Sequence, residues 1–250
     1  MVTKRRHFRN RSRDSESVGE TRSETGTPGR NMKAAEDTKA RMVSECPDSE
    51  IIVMAIDLSS LNSVRNFVAE FESLNLPLNL LINNAGKFAD EHAISEDGIE
   101  MTFATNYLGH FLLTKLLLRK MIETAKESGI QGRIVNVSST IHGWFSGDMI
   151  QYLAEISGNK GYGVFHGVQA LEDNSSGCAT TCFVATHPRL LNVSGKYFAD
   201  CNEASTSKLG SSSTEAARLW SASEIMVSTD ANAVFDALNT KEYVHKEKRK

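Results

Sequence analysis

Several arrangements that would declare a chemistry at once are missing from this 250-residue sequence. Its four cysteines, at 46, 178, 182 and 201, form no Cys-x-x-Cys pair and no dense scaffold. Each reads as a free thiol, and a reducing compartment is expected. None of the seven histidines stands three or four residues from another His or a Cys on a predicted helix, so no metal site is predicted. The most apolar run, Phe111 to Leu118, is interrupted by Lys115. It falls far short of the roughly 18 residues that a membrane span needs, so no span is predicted and a soluble protein is expected. A net charge of -3, with the basic residues bunched at the two ends, argues against a nucleic-acid partner, which would need Lys and Arg concentrated on one face.

What is present suits one sizeable core. With 40% hydrophobic and 24% charged residues, a single α/β domain is the default. Residues 1–29 are rich in Arg, Ser, Thr and Glu and nearly free of large apolar side chains, so a disordered tail is predicted. Within it, KRRHFRNRSR from Lys4 to Arg13 reads as a nuclear address, the start of a transit peptide, or plain solvated tail. Asp14, Glu16, Glu20 and Glu24 count against the transit peptide. Residues 30–227 are read as the folded domain and 228–250 as a charged tail.

Along the domain, Asn31 to Cys46 has helical composition and Pro47 ends it. Glu50 to Asp57 (EIIVMAID) is a continuous apolar run that suits a strand buried on both faces. Ser59 or Ser60 is placed to cap a helix to about Ser73, with Val64, Phe67, Val68 and Phe71 at helical spacing. Then comes NLLINNAG, Asn79 to Gly86, with a strand at Leu80 to Ile82. From Gly98 to about Lys126, the positions Ile99, Phe103, Tyr107, Leu108, Phe111, Leu112 and Leu116 form a broad apolar stripe, to be covered by the sheet or by a second copy. GRIVNVSS, Gly132 to Ser139, is the next strand. A short helix (Ala179 to Ala185), a late edge strand (Gly195 to Ala199), a Ser-rich linker (Leu209 to Thr214) and a last helix (Glu215 to Val227) follow.

Strands alternating with crossover helices imply a parallel sheet, and ligands of such sheets bind outside the carboxyl ends of the strands. Asn83, Asn84, Gly86, Ser138 and Ser139 fall there. Asn106 lies mid-helix, where its propensity is poor, so its side chain faces solvent, bonds a nearby carbonyl, or has a function. Three Asn-x-Ser sequons begin at Asn136, Asn174 and Asn192, and Asn136 is predicted to lie inside a buried strand.

NNAG at Asn83 to Gly86, Asn106 in ATNYLGHFLLT, and IVNVSS ending at Ser139, in this order and spacing, resemble the short-chain dehydrogenase/reductase family. With GCATTCFVATHPRLLNVSGKYFADCNEA from Gly177 to Ala204, the likeness is greatest to plant members related to the dehydrogenase-like component of the chloroplast import translocon, and looser to retinol dehydrogenases. The resemblance implies a Rossmann-like parallel sheet and NADP(H)-linked reduction of a small carbonyl or oxidation of an alcohol. Such a reaction needs an activated phenol, a donor to the developing oxyanion and a proton path. By matching, Ser139 polarises the substrate oxygen and Asn106 holds a relay water. Asn83, Ala85 and Gly86 line the adenosine half of NADP, Asp57 bonds adenine, and Arg30 pairs with the 2′-phosphate. A helix cap remains an alternative for Ser139, and a helix-start carboxylate for Asp57. The resemblance also implies a homodimer through the 98–126 helix, and a cytoplasmic or chloroplast location.

Two pieces of the family pattern are absent. There is no Thr-Gly-x-x-x-Gly-x-Gly turn to cradle a pyrophosphate; Thr25 to Gly29 has the wrong spacing and follows no apolar strand. No Tyr has a Lys four residues later, Tyr162 with His166 being the nearest substitute. The first two strands and the catalytic-helix region therefore read as missing, with an internal deletion near 160–177. An impaired enzyme is expected, the alternatives being a non-catalytic interaction protein and an incomplete gene product. The strands that remain must re-pair or borrow a partner, because buried backbone groups left unpaired cost about 1–3 kcal/mol each.

Overall fold

The computed structural model describes residues 2–5, 28–87, 93–139 and 174–228. The chain divides into two compact units, Met1–Asp57 and Leu58–Lys250.

The first unit holds β1 (Val2–Arg5), α1 (Pro28–Glu45) and β2 (Ser49–Ile52). Pro28 opens α1, where a missing N–H costs nothing, and the helix stops short of Pro47 as predicted. β1 and β2 pair antiparallel, Val2 opposite Ile52 and Arg5 opposite Ser49. This corrects two expectations. Residues 2–5 of the segment read as a disordered tail form a strand, and the run from Glu50 to Asp57 is a strand only to Ile52, with an antiparallel partner. The physical reason is the ladder: β-branched residues at 51–53 favour extended backbone, but its N–H and C=O groups need a neighbour. Val2–Arg5 supplies that neighbour.

The second unit is built on a parallel pair. β3 (Leu80–Asn83) and β4 (Arg133–Asn136) align with Leu80 opposite Arg133 and Asn83 opposite Asn136. Parallel neighbours require a crossover. Here it runs through α3 (Met101–Phe103), a π-helical segment (Ala104–Leu108) and α4 (Gly109–Ser128). The single uninterrupted helix expected over Gly98 to Lys126 is thus broken by the π segment, in which the Gly109 amide reaches back five residues to the Ala104 carbonyl. α4 ends at Gly129, whose φ of 67° supplies the left-handed cap.

α2 (Leu61–Ser73) packs on α4. Ser60 caps it as predicted, its hydroxyl oxygen accepting from the Ser63 amide. Leu61, Val64, Phe67, Val68 and Phe71 are buried on α2, and Leu112, Leu113, Leu117 and Met121 on α4. Each such side chain contributes about 1.5–3 kcal/mol of transfer free energy. Gly109 marks the closest approach: a Cβ there would meet the Leu58 carbonyl oxygen at 2.2 Å.

Beyond β4 come α5 (Asn174–Thr186), a 3-10 turn (Pro188–Leu190), and the hairpin of β5 (Tyr197–Ala199) with β6 (Asn202–Ala204). The Arg133 guanidinium donates to the Val184 and Leu190 carbonyls at 2.7 and 3.0 Å, tying β4 to the end of α5. The last described helix, α6 (Ser213–Ser228), is held by Arg65 on the Val227 carbonyl (2.6 Å), by a Lys115–Glu224 ion pair and by Trp220 edge-on to Phe111. Asn136, expected inside a buried strand, is the exposed last residue of β4.

Candidate functional site

Because β3 and β4 run parallel and in register, the chain leaves both at the same end. The Val137 amide still donates to the Asn83 carbonyl (3.0 Å) before the strands part. Asn83 is 4% exposed. Its amide nitrogen donates to Thr114 Oγ1 on α4 (2.9 Å) and to Asn136 Oδ1 on β4 (2.8 Å). One side chain therefore joins two strands and the crossover helix, while its Oδ1 is buried with no partner among the described residues.

The turn that follows, residues 84–87, is gripped by two side chains one helical turn apart. Asn106 Oδ1 accepts from the Lys87 amide and Asn106 Nδ2 donates to the Lys87 carbonyl, both at 2.8 Å. His110 Nε2 lies 2.6 Å from the Ala85 carbonyl oxygen, and its Nδ1 is buried without a partner among the described residues. Gly86 lies under this grip, the position of a Cβ falling 3.5 Å from Asn106 Oδ1. The π segment is what turns Asn106 toward the loop, since it advances the side chains relative to a regular helix. Asn106 thus does bond a carbonyl, one nineteen residues upstream rather than in its own helix. His110 and Thr114 carry no motif of their own. The signal that could have found them is spacing, four and eight residues after Asn106.

Ser139 is exposed three residues past the end of β4 and has a bonding partner of its own. The preceding Ser138 lines a cleft of about 470 Å3 with β4, Thr180, Thr181 and the Tyr197–Asp200 stretch. The structure therefore brings Asn83, Ala85, Gly86 and Asn106 into one cluster and puts Ser139 at the end of the neighbouring strand. Asp57 and Arg30 belong to the first unit: Asp57 is its last residue, and Arg30 lies in the first turn of α1 rather than at a strand exit.

Among the described residues, no phenol is placed for proton transfer beside Asn106. Tyr107 points its hydroxyl at Ser223 on α6, 3.0 Å away, and Ser223 is fully buried. Burial pushes the Tyr107 phenol above its ordinary value of 10.0, the Ser223 hydroxyl offsetting part of that by turning to donate to a phenolate. That direction is the reverse of what general base work at neutral pH needs. Tyr152, and Tyr162 with His166, lie outside the described residues.

The helix N-termini decide how well a dinucleotide fits. The Leu61 amide at the start of α2 donates to Asp97 Oδ2 at 2.8 Å, and the capping Ser60 hydroxyl bonds the Glu96 carboxylate. At α3 the Glu100 carboxylate takes the Thr102 and Phe103 amides at 2.9 and 2.7 Å. The starts of α2 and α3 are thus occupied by the chain's own carboxylates, which repel a pyrophosphate. These two helix starts do not fit a pyrophosphate. No described helix is long and apolar enough to cross a membrane.

Known proteins share this arrangement of sequence. The family profile described as short chain dehydrogenase matches residues 25–154. Short-chain dehydrogenase TIC 32 A, chloroplastic, of Brassica napus is 39% identical over 245 residues, covering 76% of this chain and 77% of that protein. Human Retinol dehydrogenase 14 is 31% identical over 271 residues, covering 88% of this chain and 77% of its own length. Among solved structures, a putative uncharacterized protein from Mycobacterium Paratuberculosis superposes with a TM-score of 0.56 at 20% identity, over 80% of this chain and 82% of that one, a likeness of fold.

Proposed function

Given that the chain belongs to the short-chain dehydrogenase/reductase family, we propose that it descends from an NADP(H)-linked carbonyl or alcohol oxidoreductase and that its own turnover is impaired. The observation that carries this reading is the state of the helix around Asn106. Both polar atoms of the Asn106 amide are engaged on the Lys87 backbone, and the neighbouring phenol, Tyr107, is turned away to Ser223 with its ionisation suppressed. The filled N-termini of α2 and α3 and the missing Tyr-x-x-x-Lys support the same reading. So does the length of the match to the Brassica protein: 245 aligned positions take up only 76% of a 250-residue chain, so gaps fall on this side of the alignment. In this reading Asn83, Ala85, Gly86, Asp57 and Arg30 are remnants of an NADP site, and Ser139 and Asn106 remnants of the catalytic set.

The test is a titration with NADPH followed by Trp220 fluorescence, paired with an assay of NADPH oxidation against small carbonyls. The expected outcome is no saturable quenching up to millimolar cofactor and no turnover; clean reduction of a carbonyl by the full chain would overturn the proposal.

A second reading, an interaction protein that pairs with its own copy, is favoured by one feature of α4. Leu118 and Ile122, one turn apart, are 45% and 47% exposed. The third reading, an incomplete gene product, is decided by sequencing the transcript. Since the Brassica relative is named as chloroplastic, the chloroplast and the cytoplasm are the two compartments to compare by localising a tagged full chain.

A further inference from the structure

Three of the four cysteines come together in the second unit, although the sequence separates them. Cys178 and Cys182 stand one turn apart on α5, near enough for each thiol to feel the other. Cys201 occupies the two-residue turn between β5 and β6. Its amide donates to Thr180 Oγ1 at 3.1 Å, and its sulfur lies 4.0 Å from the same oxygen. Thr180 sits inside the helical turn that Cys178 and Cys182 bracket, so the hairpin hangs from that turn. Asp200 and Cys201 have φ of 47° and 58°, uncommon values for non-glycine residues that persist only where surrounding contacts fix them. All three thiols are half-buried, within reach of small reagents, whereas Cys46 is exposed and belongs to the first unit.

We infer that Cys178 and Cys182 form a thiol–disulfide exchange site that takes a small disulfide of the glutathione class as its co-reactant, and that closing the bond loosens the β5–β6 hairpin from Thr180. Cys178, after losing its proton to solvent, attacks one sulfur of oxidised glutathione. One glutathione thiolate leaves and a mixed disulfide remains. Cys182 then loses its proton and attacks the Cys178 sulfur, expelling the second glutathione thiolate. Two protein thiols have given up two electrons and two protons, and one disulfide has become two thiols. Cys182 acts second because burial and its two sulfur neighbours keep it protonated.

Geometry makes the bond reversible. Side chains one turn apart on a regular helix hold their Cβ atoms about 5–6 Å apart, and a disulfide needs about 3.5–4.5 Å. The turn must tighten, and the strained bond that results is among the readily reduced ones. Thr180, caught between the two cysteines, moves with the turn, and the Cys201 amide loses its acceptor.

The experiment treats reduced full-length protein with millimolar oxidised glutathione, blocks remaining thiols by alkylation, and maps peptides by mass. The expected result is an internal bond within the peptide carrying Cys178 and Cys182, no bond from Cys46 to either, at most a glutathione adduct there, and full recovery with dithiothreitol. Amide exchange across 197–204 is expected to rise about tenfold in the closed form. Cys182→Ser should stop at a glutathione adduct on Cys178, and Cys178→Ser should give no internal bond. Continued alkylation of both cysteines, a stable adduct without an internal bond, a bridge to Cys201 in place of Cys178, or unchanged exchange in the hairpin would overturn the inference.

Discussion

Asn106 shows how much one side chain can reveal and withhold. That a polar residue stands mid-helix was legible from the stripe around it. That it grips the Lys87 backbone was not, because the grip depends on the π segment and on a turn from far upstream. Asn106→Leu should free residues 84–87, raising amide exchange at Lys87 and lowering stability by about 1 kcal/mol in urea, the usual net value of such bonds. Tyr107 gives a pH prediction. Its phenol is raised above 10.0 by burial, so its stabilising contribution is complete below pH 10 and is lost as pH climbs through the higher folded value. Wild-type protein should therefore lose urea resistance steeply above pH 10. Tyr107→Phe should cost about 1 kcal/mol at neutral pH through the lost Ser223 bond, yet show a shallower alkaline decline.

Elements defined by local chemistry were read well, and elements defined by distant partners were not. The Ser60 cap, the α2 stripe and the Leu80–Ile82 strand needed only neighbours in sequence, and each stands where the residues placed it. β2 was different: an apolar run says that a strand is to be covered, and nothing in it says which segment pairs with it or in which direction. Likewise the acids at 96, 97 and 100 gave no hint from spacing that they seal two helix starts. Gly109 belongs at this scale, since it sets the distance between α4 and the entry to α2. Gly109→Ala would push a methyl into the Leu58 backbone at 2.2 Å. Because that backbone cannot swing aside, a loss of about 3 kcal/mol, seen as a lower urea midpoint with an unchanged slope, is expected.

For the whole molecule, the α/β character and the family could be read from three short motifs, and both stand. What the motifs could not convey is how the chain pairs its described strands. It does so with β1 in one unit and with the β3–β4 pair in the other. If α4 also serves as the surface between two copies, Leu118→Glu combined with Ile122→Glu should leave the far-ultraviolet circular dichroism unchanged while halving the mass measured by sedimentation. A wild-type monomer at micromolar concentration would exclude that assembly.

The π-helical segment leaves the crossover helix with a skipped thread. Residues before and after it are out of phase by one position, about 100° around the axis, so taking out any one residue between 104 and 108 would let the screw run true. The healed helix would then carry its leading end, Glu100 and the bridge it makes to Ile94, round to a different side of the barrel of side chains, and Lys87 would lose its clasp although every remaining residue was unchanged.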